Sequence, residues 1–167
     1  FNYGFYPDGF SVFENINKVK KNTCLILDLN KWKINTFEIY KKNKTKFNDK
    51  NVSVSHLENL IFQAVEKRLI TDVPTCVLLS SGIDSAIVSY FASLKNRNIQ
   101  TYTVGFEDKS YDESNDSKKI ARYIGLKNET IYLKNNELKH IIEEINEAFD
   151  EPFADSSQIP SMLIFKN

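Results

Sequence analysis

Between Cys76 and Phe149 the chain alternates three short apolar runs with three helical periodicities, and no other feature restricts its fold as much. CVLLS (76–80), TYTVGF (101–106) and NETIYL (128–133) have the length and composition of buried strands. Residues 84–95 place Ile87, Phe91 and Leu94 on one helical face, and residues 114–124 end at Gly125, a natural left-handed stop. Residues 137–149 carry Leu138, Ile141, Ile142, Ile145 and Phe149 at the same spacing. Strand, helix, strand, helix is the signature of βαβ units, whose right-handed crossovers make the sheet parallel. The expected fold is α/β, an open parallel sheet with helices on both faces.

The part before residue 76 reads differently. TCLILDL, the turn residues Asn30-Lys31 and WKINTFEIY predict a small β-hairpin over 23–40 that precedes the α/β part. A polar connector follows at 41–52. Ser55 and Glu58 then form a capping-box pattern, with Leu57, Leu60, Ile61, Ala64, Val65 and Leu69 marking an amphipathic helix to about Ile70. No internal repeat is visible. The chain starts at Phe1 and stops at SMLIFKN with its apolar pattern still running, which reads as a piece of a longer polypeptide.

Charge excludes some partners. Lys plus Arg number 22 and Asp plus Glu number 22, so the chain has no overall electrostatic footprint for nucleic acid or an anionic membrane, and neither is an expected partner. The run Lys41 to Lys46 lacks aromatics and reads as a solvated linker. Cys24 and Cys76 sit in apolar, strand-like runs and are expected as buried reduced thiols. With only His56 and His140 besides, far apart on helical patterns, a His/Cys metal site is not expected. No apolar run approaches transmembrane length and no signal peptide opens the chain, so the expected compartment is the cytoplasm.

The chemistry is concentrated where the first of the three strands ends, in VLLSSGIDSA (77–86). In an open parallel sheet, ligands bind outside the carboxyl ends of the strands. Ser80, Ser81 and Gly82 lie there, before a helix whose unpaired N–H groups and dipole attract an anion such as phosphate. Gly82 is expected to take a positive φ, and the hydroxyls of Ser80, Ser81 and Ser85 to add donors. A carboxylate beside phosphate is repulsive, so Asp84 either caps the helix or holds a divalent cation that bridges to the phosphates. The loop has no lysine, hence no Walker A motif, and the GxGxxG fingerprint is absent. Serine and aspartate acting merely as caps is the alternative left open by these residues alone.

SSGIDS resembles the SGGxDS pyrophosphate loop of the ATP-pyrophosphatase (PP-loop) families, which cleave ATP between the α and β phosphates to adenylate a substrate. By itself this leaves asparagine, GMP, NAD and argininosuccinate synthetases and tRNA-modifying enzymes open. TYTVGFEDKSYDESNDSKKIARYIGL (101–126) is similar to the segment following that loop in glutamine-dependent asparagine synthetases, and DEPFADSSQIPSMLI (150–164) resembles a characteristic stretch of the same family. YGFYPDGFSVFENINKV (3–19) is similar to the family's connector between glutaminase and synthetase domains. The resemblance implies a PP-loop, adenine nucleotide alpha hydrolase-like fold. It further implies a connector with the hairpin at 1–50 and the front part of a synthetase domain at 51–167.

It also implies roles. Ser80, Ser81, Gly82, Asp84 and Ser85 would hold the pyrophosphate of ATP, with Mg²⁺ on Asp84. Leu79 would line the nucleotide, and the backbone of Val104 and Gly105 would read adenine. Asp155 and Ser156 would lie beside the acyl-adenylate, Asp155 as a catalytic group alongside Asp84, although DEPFADSS also reads as a turn and helix cap. The implied partners are ATP, aspartate or another small carboxylate, and ammonia released from glutamine by a glutaminase domain; a homo-oligomer is left open. The sequence departs from the pattern in three ways. Ser81 replaces the first glycine of SGGxDS, no N-terminal cysteine nucleophile is present, and the second nucleotide loop, an SGxGxDE type, is absent. This chain alone is therefore expected to bind nucleotide weakly and not to turn over. Two rival readings remain: an amidotransferase acting on a carboxylate of a surface-polysaccharide sugar precursor, and a non-catalytic nucleotide-binding module.

Overall fold

The computed structural model describes residues 3–40, 53–152 and 154–166; the polar connector with its Lys41 to Lys46 run lies outside the described residues. The chain divides into two compact units, Phe1–Phe47 with Glu144–Ser156, and Asn48–Glu143 with Ser157–Asn167.

In the first unit, β1 (Thr23–Asp28) pairs antiparallel with β2 (Lys33–Glu38), from Thr23↔Glu38 to Asp28↔Lys33. The turn is longer than the Asn30-Lys31 pair predicts, because residues 29–32 all lie outside the ladder. A two-residue hairpin turn needs glycine-like backbone angles that Asn-Lys does not favour. Instead, Asp28 Oδ1 accepts the N–H groups of Asn30 (3.0 Å) and Lys31 (3.1 Å), and Trp32 closes the loop at φ 50°. At the open end, the Asn22 side chain donates to Tyr40 O (2.7 Å) and accepts Tyr40 N–H (2.8 Å). Segment 150–156 joins this unit through Lys18 Nζ to Glu151 Oε2 (2.7 Å) and Ala154 N–H to Gly4 O (2.6 Å).

The second unit opens with α1 (Val54–Arg68), two residues earlier than the capping-box pattern predicts. Ser53, not Ser55, is the N-cap: its Oγ accepts the His56 N–H at 3.2 Å, and Ser55 Oγ lies 3.0 Å from it. Either serine can cap, and starting at Ser53 adds two residues to the helix. Then come β3 (Cys76–Leu78), α2 (Ile83–Lys95), β4 (Gln100–Phe106), α3 (Ser114–Ile124), β5 (Lys127–Leu133), α4 (Asn135–Ala148, whose residues from Glu144 onward belong to the first unit) and α5 (Gln158–Lys166). The three strands form a parallel sheet in the order β3-β4-β5, with Val77, Thr101 and Asn128 in register. Helices flank it: α2 packs on β3 and on α3, α3 on β4 and β5, α5 along β4 and β5, and α1 covers α2. This is the α/β architecture expected, with the antiparallel hairpin as a separate element.

The core joins Val65, Val77, Ala92, Ile99 and Leu126, with Ile61, Leu69, Phe91 and Ile124 packed against it. Two sequence expectations need correcting here. Helix α2 buries Ser89, Ala92 and Ser93, its small residues, while Leu94 is 44% exposed. A surface of small side chains lets a helix approach close to its neighbours, so the apolar stripe does not mark the whole contact face. The second concerns the cysteines, which are both free: Cys76 is exposed and Cys24 only half-buried. β3 is a three-residue edge strand, and alternation that turns Val77 inward turns Cys76 and Leu78 away.

Gly125 stops α3 as expected, at φ 84°, with its own N–H and that of Leu126 both reaching Ala121 O at 2.9 Å. Among the described residues, no helix is long and apolar enough to cross a membrane.

Candidate functional site

The loop after β3 is fastened to the sheet before it departs. Leu79 N–H donates to Tyr102 O (2.8 Å), which carries the pairing one residue past the strand, and Leu79 O accepts Thr103 Oγ1 (2.7 Å). Asn128 Nδ2 in turn donates to Thr103 Oγ1 (2.9 Å) and to Thr101 Oγ1 (3.0 Å), and Thr101 Oγ1 donates to Lys127 O (2.8 Å). A buried polar seam thus fixes the register of all three strands directly beneath the loop. Leu79 itself is only 2% exposed.

Ser80 to Ser85 then form a small self-bonded turn. Ser80 N–H donates to Ser85 Oγ (3.1 Å), the two hydroxyls are 2.8 Å apart, and Gly82 N–H donates to Ser80 Oγ (3.2 Å). Gly82 does not take the positive φ expected of it; it is the N-cap of α2 at φ −72°, ψ 148°. A Cβ at this position would lie 3.3 Å from Ser80 Oγ, a tight contact to which that hydroxyl would have to yield by a few tenths of an ångström. Ser81 is not among the residues with positive φ, so its replacement of a glycine costs nothing in backbone strain.

The first intrahelical bond of α2 is Ala86 N–H to Gly82 O (3.2 Å). The helix therefore offers no acceptor to the N–H groups of Ile83, Asp84 and Ser85. Asp84 lies in this first turn, is exposed, and makes no hydrogen bond or ion pair among the described residues. It does not cap the helix. A hard carboxylate oxygen beside open N–H groups fits a Mg²⁺ shared with phosphate oxygens and water. The described residues contain no group of three or more His, Cys, Asp or Glu side chains placed to hold a metal by themselves.

Val104 and Gly105 lie near the carboxyl end of β4, the strand beside the loop, with Val104 half-buried and Gly105 buried. Gly105 faces the Tyr132 ring so closely that a Cβ would sit 2.5 Å from Cε1. Residues 79–85, 104 and 105 are therefore brought to one sheet edge. Asp155 and Ser156 are exposed residues of the first unit.

A residue that motif reading passed over also reaches this loop. Glu113, 32 positions after Ser81, directs Oε2 at Ser81 N–H (3.1 Å). The available signal was topological, because in a parallel sheet the residues opening α3 must return beside the loop opening α2. The neighbouring Asp112 organises the same turn, its Oδ1 accepting Ser114 N–H (3.1 Å) and Phe106 N–H (3.4 Å) and its Oδ2 accepting Ser114 Oγ (3.0 Å). Burial pushes the Asp112 carboxyl up, but the bonds from Ser114 and Phe106 and the charge of Lys118 outweigh it and hold the pKa below the usual carboxylate value.

A lowered pKa gives stability that is present above the unfolded-state value and lost as pH falls through the folded one. We expect acid titration of Asp112→Asn, followed by circular dichroism, to show a shallower loss of stability below about pH 4 than the parent. Equal slopes would mean that this carboxylate is not differentially stabilised by folding.

The asparagine synthase family model matches residues 56–167. A protein of Methanocaldococcus jannaschii assigned as glutamine-hydrolyzing asparagine synthetase 2 is 30% identical over 98% of this chain and 32% of its own length. Glutamine-hydrolyzing asparagine synthetase 1 of Bacillus subtilis is 29% identical over 68% of this chain and 18% of its own. The glutamine-hydrolyzing asparagine synthetase of Mesocricetus auratus is 33% identical over 54% and 17%, respectively. The chain thus spans about a third or less of the length of these curated relatives. With the family model covering residues 56–167, the loop and the parallel sheet included, the chain belongs to the asparagine synthase family.

Proposed function

We propose that this chain supplies the ATP-binding front part of a glutamine-dependent asparagine synthetase. Residues 1–50 form the connector with its hairpin, and residues 51–167 open the synthetase domain. The reading rests chiefly on one observation: at the carboxyl edge of a parallel sheet, the Ser80–Ser85 turn presents helix N–H groups and an Asp84 that have no partner among the described residues. In this reading a side-chain carboxylate oxygen of aspartate attacks the α-phosphorus of ATP, and pyrophosphate leaves. Ammonia from glutamine then displaces AMP from the acyl-adenylate, giving asparagine.

Phosphoryl chemistry of this kind asks the protein mainly for positioning and for neutralisation of developing charge. The N–H groups of Ile83 to Ser85 would receive the leaving pyrophosphate, and Asp84 would hold Mg²⁺, which supplies the counter-charge when bound. Ser80 and Ser85 fix the turn through their mutual hydrogen bond, so the donors are preorganised before nucleotide arrives. Leu79 closes the apolar side of the nucleotide site, and the strand end at Val104 and Gly105 offers backbone to the adenine edge.

The deciding experiment measures pyrophosphate release by the whole synthetase that contains this front part, with Mg-ATP and ammonia, with and without aspartate. Release that requires aspartate is the expected result. Release that requires a different carboxylate, such as that of a sugar precursor, would replace the acceptor and leave the adenylation chemistry standing.

A further inference from the structure

The contact between Glu113 and Ser81 has no place in the reaction just described. If the turn binds pyrophosphate, Ser81 N–H is one of its donors, yet in the free chain a carboxylate accepts it at 3.1 Å. The Glu113 side chain has no evident structural duty that would put it there. Although Glu113 is the N-cap residue of α3, its side chain makes no capping bond. Asp112 performs that service through Ser114, and Glu113 contributes to the helix only its carbonyl, which accepts Ser117 N–H (3.0 Å) and Ser117 Oγ (3.1 Å). Its exposed carboxylate is thus spent on the one amide among Ser80, Ser81 and Gly82 that the turn's own hydroxyls do not bond.

We propose that Glu113 is an internal competitor for the phosphate position, a carboxylate that occupies Ser81 N–H until nucleotide displaces it. The proposal rests on the pyrophosphate reading of the Ser80–Ser85 turn. A phosphate oxygen arriving at Ser81 N–H meets a like charge at hydrogen-bonding distance, so metal-free polyphosphate is disfavoured twice, by the lost amide and by repulsion. A divalent cation carried by the incoming nucleotide relieves the repulsion and gives the displaced carboxylate an opposite charge to face. Glu113 therefore selects for metal-complexed over metal-free polyphosphate, and acts as a positioning and selectivity residue of the loop.

The test is calorimetric titration of the protein with inorganic pyrophosphate, in EDTA and in excess Mg²⁺, for the parent, Glu113→Gln and Glu113→Ala. Circular dichroism checks the fold of each, and because Asp112 keeps the α3 start in place, both variants should retain it. In EDTA, Glu113→Ala should bind pyrophosphate roughly tenfold more tightly than the parent, the order expected of one close charge pair open to water. Glu113→Gln, neutral but still able to accept the amide, should gain less. In Mg²⁺ the gain should shrink, so the ratio of the two affinities falls in the variants.

Unchanged affinity in a parent that binds pyrophosphate would overturn the inference and leave the loop reading intact, as would weaker binding of the variants, which would make Glu113 a ligand. Absence of binding in all three proteins under both conditions would overturn the loop reading and this inference with it.

Discussion

Asp84→Asn in the whole synthetase should reduce aspartate-dependent pyrophosphate release by about 10²–10³-fold while leaving the fold unchanged, the range seen when one preorganised charge-stabilising group is lost. The substitution is nearly isosteric and sits in an exposed first turn, where the side chain makes no hydrogen bond among the described residues. Stability should thus move by no more than the few tenths of a kcal/mol due to an acidic residue near a helix N-terminus. What changes is chemistry: a neutral amide oxygen holds a hard dication far more weakly than a carboxylate does. The signature to look for is a steeper requirement for Mg²⁺, with activity partly recovered at high concentration. A variant as active as the parent at all Mg²⁺ concentrations would remove Asp84 from the leaving-group site.

Leu79→Ala should show the opposite separation. At 2% exposure, and tied by its backbone to Tyr102 and Thr103, Leu79 fills space that cannot readily collapse. Truncating such a side chain costs about 3 kcal/mol, from lost apolar transfer plus the cavity left behind. Thermal or denaturant unfolding of the second unit should register a loss on this scale. Because the cavity opens at the root of the Ser80–Ser85 turn, nucleotide affinity should weaken as well. A stable variant with a selective defect in nucleotide binding would show instead that Leu79 acts mainly at the ligand. A loss of stability with affinity preserved would show that the sheet, not the nucleotide, is its only client.

The α/β alternation, the three strands and the stop at Gly125 were readable from the sequence because each depends on contacts within a few residues. Apolar spacing sets which elements form, and the left-handed position of Gly125 satisfies local carbonyls. The Ser-Ser-Gly-x-Asp-Ser pattern was equally legible, since a strand end, a glycine and a helix start are consecutive in the chain.

Local reasoning failed where a neighbour from elsewhere decided the outcome. Gly82 looked like a residue chosen for its φ and proved to lie in ordinary extended backbone, its N–H donating to Ser80 Oγ. Cys76 looked like a core thiol, but β3 became an edge strand and turned it outward. In α2 the apolar stripe suggested one contact face, and the small residues Ser89, Ala92 and Ser93 made another.

The sequence by itself determined that a Ser-Ser-Gly turn between a strand end and a helix start opens α2, with an aspartate in its first turn. Only the tertiary structure decided which groups that turn meets. Parallel pairing of β3 with β4 lays Thr103 and Asn128 beneath it and delivers Glu113 to Ser81 across 32 residues. Sequence spacing carries no information about such a contact, because its geometry is set by the sheet register, and that register is fixed by the polar seam buried under the loop.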